Sequence, residues 1–141
     1  MEIAINWLAV ALATAVSMVI AMVWYSHWGL FGKAWEKLTG VNSEKLKKAQ
    51  GRKPMAVLLG TNFVTTLTLT VAITITSTYF KDSSVWLALA VGFVLWLGLS
   101  ATTLLQHNTF EMKSSKLTAI NNAYQLVMFL GIALVIGLFG V

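Results

Sequence analysis

Four stretches of this chain carry no Asp, Glu, Lys or Arg: Ile3 to Tyr25, Met55 to Phe80, Val85 to Asn108 and Leu117 to Val141. Each exceeds the roughly 20 residues that a helix needs to cross about 30 Å of hydrocarbon. Together they take up most of the 141 residues, and little is left from which a separate water-soluble domain could be built. The remaining composition agrees. Only 11% of residues are charged, against roughly 25% in an average soluble domain, and the mean hydropathy is +0.76. That is too little charge to cover a water-facing surface. It is also too much apolar content for intrinsic disorder. The chain has no Cys, which removes disulfides, thiol catalysis and Cys-ligated zinc.

The sequence thus predicts an all-α membrane protein, a single domain over residues 1–141 folded as a four-transmembrane-helix bundle. Its expected spans are 3–25, 55–80, 85–108 and 117–141. The first span begins with Glu2 and no base, and it is too long for the apolar core of a cleaved signal. In the second span, Thr66 to Thr78 alternates apolar and polar residues, which is ordinarily a strand signal. A lone strand in lipid would leave its backbone groups unpaired, so the helix is preferred. Its hydroxyls then fall in rows at 66, 70, 74, 78 and at 61, 65, 68, suited to packing against protein.

Loop charge sets the expected orientation. The loops after the first and third spans carry nine basic residues, seven between Lys33 and Lys53 plus Lys113 and Lys116, while the opposite side has only Lys81. Both termini are therefore expected outside, with loops 26–54 and 109–116 in the cytoplasm. Aromatic belts fit this, with Trp7, Tyr79, Phe80 and Trp86 at the outer ends and Trp24, Tyr25, Trp28, Phe110 and Tyr124 at the inner ends. The net charge of +5 resides in the 33–53 segment and reads as contact with anionic lipid headgroups, not with nucleic acid. This loop is structured and partly helical by its pattern. Phe31, Ala34, Trp35 and Leu38 share one helical face, Gly40 can stop that turn, and Asn42 or Ser43 can cap a second short helix over Glu44 to Gln50.

At Trp24-Tyr25-Ser26 and Phe31-Gly32-Lys33-Ala34-Trp35 the chain resembles the bacterial domain-of-unknown-function 1761 family, small four-helix membrane proteins. The resemblance extends over the whole chain. It takes in Ile5-Asn6-Trp7-Leu8 and a second block with Thr102, Thr103, Asn108, Phe110, Glu111, Leu117, Ile120, Asn121 and Tyr124. It implies the architecture and a multi-pass place in the bacterial cytoplasmic membrane, but no activity, substrate or cofactor. His27 stands where the family commonly has Pro, so the resemblance gives it no role.

The candidate ligand-binding residues are uncharged or titratable groups near the inner ends of the spans. On the third span Trp96, Ser100, Thr103, His107 and Glu111 recur at three- and four-residue steps and share a face on a regular helix. Asn108 lies beside them. The fourth span offers Asn121, Tyr124 and Gln125, and the second offers Asn62. Such groups are costly in lipid and face protein or a wet cavity. They read either as a polar pocket open to the cytoplasm or as interhelical hydrogen bonds that fix packing. His27, His107 and Glu111 could at most form a weak metal site, without the His-Glu-x-x-His spacing that would mark one; no metal and no cofactor is expected. Ala9, Ala13, Ser17 and Ala21 form a stripe of small residues that lets a helix approach closely, either inside the bundle or on a second protomer.

Three functions stay open at this point. The first is small-molecule or lipid binding or transport, in a homo-oligomer because one four-helix bundle leaves little room for a path. The second is a membrane enzyme acting on a lipid headgroup through His107, Glu111 and Tyr124. The third is a structural or accessory subunit.

Overall fold

The computed structural model describes residues 2–141, and among them it is helical with no strand. Helix α1 is Trp7–Tyr25, α2 is Gly32–Thr39, α3 is Ser43–Gln50 and α4 is Lys53–Phe80. Helix α5 is Val85–Phe110 and α6 is Ser115–Phe139. Helices α1, α4, α5 and α6 are long and apolar enough to cross a membrane. The two short helices lie in the long basic loop.

Local chemistry sets the ends. Helix α1 begins at Trp7, later than Ile3, because the Asn6 side chain accepts the Ala9 N–H and caps it. The Asn6 amide also donates to the Phe139 carbonyl at 2.9 Å, tying the start of α1 to the end of α6. Helix α2 stops at Gly40, which takes the left-handed conformation at φ 71°. Asn42, not Ser43, caps α3 by accepting the Lys45 N–H. Pro54 sits at the start of α4, where its missing N–H costs nothing.

Helices α4 and α6 form the centre. Helix α6 packs on all three other long helices and α4 does the same, whereas α1 and α5 make no contact among the described residues. The axis is filled by Leu69 and Ile73 of α4, Ile132 and Ile136 of α6 and Val10 of α1, each with less than 2% of its surface exposed. Small residues allow the close approach. Ala9, Ala13, Ser17 and Ala21 are all buried within the bundle, so the stripe is consumed by the chain's own packing. Gly92 of α5 faces Ala133, and Gly137 of α6 faces Ala88. On α4 it is Asn62, Thr66 and Thr70 that point inward, with Thr66 and Thr70 donating to the carbonyls one turn back. The row at 61, 65 and 68 lies on the outer half of the helix.

One irregularity sets the register of α5. Residues Trp96–Ala101 form a π-helical turn. Both the Trp96 indole, which donates to the Asn122 carbonyl at 3.0 Å, and Asn108, which donates to Thr118 at 3.0 Å, face α6. At 3.6 residues per turn, the twelve-residue step between them would leave them about 120° apart. Absorbing one residue in a π turn reduces this to about 20°. The face expected from the sequence assumed an unbroken helix. The π turn instead brings Asn108 to the interface, 3% exposed, and turns Thr103, His107 and Glu111 outward.

Candidate functional site

The nine candidate residues all belong to the half of the bundle nearest the basic loop, but they do not converge on one pocket. They separate into a lateral groove, an aromatic clasp and a helix-to-helix turn.

The groove runs between α4, α5 and α6 and has two joined chambers. The deeper chamber, of ≈ 160 Å³, is apolar on most sides, with Val64 and Leu69 of α4, Leu95 and Leu99 of α5 and Phe129 of α6. The wider chamber, of ≈ 350 Å³, shares Thr65, Leu99, Ser100 and Phe129 with the first and adds Thr103, Leu104, His107 and Gln125. Four of the sequence candidates therefore meet here: Ser100, Thr103, His107 and Gln125. Thr103 donates to the Leu99 carbonyl at 2.7 Å, one turn back. The side chains of Ser100, His107 and Gln125 make no hydrogen bond among the described residues, so they present donors and acceptors to whatever enters. Leu99 and Ser100 come from the π turn itself, a feature that recurs at functional sites. Sequence reasoning missed Thr65, Thr68 and Phe129 as groove residues. The 61/65/68 row was visible, but its direction depends on how α4 sits against α5.

The clasp lies on the other side of α6 and explains the aromatic signature. The Trp24 indole donates to the Ile120 carbonyl at 3.1 Å, and its ring packs on Phe31 with centroids 4.8 Å apart. The Tyr25 hydroxyl donates to Asn121 Oδ1 at 2.6 Å, while its ring meets Trp35 and Tyr124 edge-on at 5.8 and 4.9 Å. Trp24 and Tyr124 are thus buried and are not the interfacial anchors expected of them; of the five aromatics expected at this end, Trp28 and Phe110 are the exposed ones. Chain reversal between α1 and α2 is tight. Ser26 ends α1, its carbonyl accepts the Gly29 N–H at 2.7 Å, and the Phe31 N–H returns to the Trp24 carbonyl at 3.0 Å. A Cβ on Gly32 would collide with the Ser26 carbonyl oxygen, so glycine is required there. Lys33 points away from the bundle. Asn62 and Tyr124 use thioethers as acceptors, Met18 Sδ at 3.6 Å and Met128 Sδ at 3.4 Å. Asn62, Asn121 and Tyr124 therefore hold the clasp and the α1–α4–α6 packing together.

At the α5–α6 turn, Asn108 is the pin. Its side-chain amide donates to the Thr118 hydroxyl and its backbone carbonyl accepts the Lys113 backbone N–H at 2.9 Å. Glu111 is exposed and pairs with Lys113 at 2.9 Å. The hydrogen bond from Lys113, and then the charge of the same ammonium, lower the Glu111 carboxyl below its ordinary range. His27 bonds Glu36 at 3.1 Å, and no group of three or more His, Asp or Glu able to hold a metal occurs among the described residues. The trio for headgroup chemistry is not assembled, since Tyr124 faces the clasp while His107 faces the groove.

A family model described as "Protein of unknown function (DUF1761)" matches residues 8–137. No curated protein and no solved structure matches the chain.

Proposed function

The chain belongs to the DUF1761 family of proteins of unknown function, and from that premise we propose that it is a multi-pass protein of the cytoplasmic membrane that binds a lipid or other amphiphile in the groove between α4, α5 and α6. The observation that carries this reading is the gradient along the groove. An apolar chamber beside Leu95, Leu99 and Phe129 opens into one where Ser100, Thr103, His107 and Gln125 gather. An amphiphile has the same order of chemistry, with its chain in the first chamber and its polar head in the second. The groove opens sideways, the direction from which a bilayer delivers such a molecule. By the loop-charge rule the basic end is cytoplasmic, so the head lies in the inner leaflet.

Transport across a single copy finds no support in the packing, because Leu69, Ile73, Ile132 and Ile136 fill the axis. Binding is the part of the reading that the geometry favours. The stripe at Ala9 to Ala21 no longer argues for a homo-oligomer, since it is buried inside the chain.

The test is thermal unfolding of the purified protein in a non-lipid detergent, with and without a lysophospholipid. At a hundredfold excess over Kd a ligand stabilises the native state by about 2.7 kcal/mol, which for a chain of this size corresponds to several degrees in Tm. Ser100→Trp and Thr103→Trp fill the groove from its exposed side, so they should fold and lose this rise. A rise of equal size in both variants would remove the groove as the site.

A further inference from the structure

A second crevice lies on the α1 side of the bundle, between α1, α4 and the α2–α3 pair. Its inner part, of ≈ 230 Å³, is an apolar slot walled by Met22 and Tyr25, by Trp35 and by Met55 and Leu58. Its outer part, of ≈ 380 Å³, shares Ser43, Leu46, Pro54 and Met55 with the slot and adds Lys47 and Arg52. The corner between α3 and α4 brings these two cations to one mouth. It turns at Gly51, whose φ of 61° and ψ of −125° suit glycine alone. The two charges are not spent inside the protein. Among the described residues Glu44 pairs with Lys48 and Glu36 with His27, and neither Lys47 nor Arg52 has a carboxylate partner. Within the slot, Met22 and Met55 are 51% and 57% exposed, and flexible thioethers adapt to an irregular apolar guest.

We propose that this crevice binds an anionic phospholipid, with its phosphate between Lys47 and Arg52 and one acyl chain in the slot beside Met22, Met55, Leu58 and Trp35. A guanidinium offers a planar pair of donors to phosphate oxygens and an ammonium adds a point charge. The slot supplies what a free phosphate would not use, an apolar surface that excludes water from a chain. The site is separate from the α4–α5–α6 groove, since α1 and α5 lie on opposite sides of the α4–α6 pair. Either site can fail without the other.

Trp35 in the slot provides the readout. The full chain is placed in phosphatidylcholine nanodiscs, and a minor fraction of the lipid is replaced by phosphatidylglycerol or phosphatidylcholine brominated on the acyl chains. Quenching that is present in the native protein and absent in Trp35→Phe reports the slot. Brominated phosphatidylglycerol should quench this component and brominated phosphatidylcholine should not. Lys47→Gln with Arg52→Gln should raise the phosphatidylglycerol needed for half-quenching by about tenfold or more. Lys45→Gln with Lys48→Gln, on the same helix but outside the mouth, should leave it unchanged. Equal quenching by the two lipids overturns the proposal, as does an equal loss in both double variants, which would mean a diffuse basic surface. Full displacement by inorganic phosphate would identify a phosphate site without a lipid, and that also overturns it.

Discussion

Asn108 and Glu111 sit three residues apart and carry opposite weight. Asn108 is buried and its side-chain amide donates across to the Thr118 hydroxyl, so Asn108→Ala removes that bond and leaves a gap at the interface, and should cost about 1–3 kcal/mol. Glu111 lies in solvent with Lys113, where an ion pair adds little, and Glu111→Gln should leave the thermal unfolding midpoint unchanged. Equal effects would contradict this assignment. The Glu111 carboxyl titrates below its ordinary value in the folded chain, so its contribution is present above the unfolded pKa and lost as pH falls through the lowered folded one. Lys113→Ala should move the carboxyl back up, as followed by NMR titration. At Gly32, added bulk meets backbone that cannot yield, and Gly32→Ala should destabilise by about 1–3 kcal/mol or more in the same unfolding assay. The sequence pointed to Glu111 because it is the only acid after Asp82. A charge at a turn is nevertheless served by water, while the burial of Asn108 depends on a register that no local spacing reveals.

That register belongs to the element scale. The cap of α3 and the glycine stop of α2 were legible because capping is local chemistry: Asn42 and Gly40 act within four residues of where they stand. The π turn in α5 is set by two anchors on another helix, Trp96 on Asn122 and Asn108 on Thr118, and a periodicity count cannot see them. The consequence is that Ser100 and His107 share the groove while Asn108 does not. Since the chain has no native Cys, single cysteines can read this directly. In detergent, His107→Cys should react quickly with a thiol reagent and Asn108→Cys slowly. Deleting Gly98, which lies inside the π turn with open space around it, removes the one residue that the turn absorbs, so a regular eleven-residue step from Trp96 should keep Asn108 against α6 and preserve the order. A reversed order after the deletion would mean that the π turn does not set the face.

At the scale of the whole molecule, four long apolar runs and a nine-to-one asymmetry of basic residues were enough to expect the bundle and an orientation. They could not say which polar groups meet, because that depends on α4 and α6 forming the central pair. Cysteines at Asn42, Ser83 and Ser115 test the orientation: an impermeant reagent should label only Ser83→Cys in intact cells, and labelling at Asn42→Cys would invert the account. The central claim, that the groove between α4, α5 and α6 holds an amphiphile, is tested most directly by crosslinking. A phospholipid with a photoreactive diazirine in its acyl chain is incorporated with the protein in nanodiscs, irradiated, and the attachment sites are mapped by peptide mass spectrometry. Attachment concentrated at Leu95, Leu99 and Phe129, and lost in Ser100→Trp, is the predicted result. Attachment spread evenly over the lipid-facing residues of all four long helices, unaffected by Ser100→Trp, would contradict it.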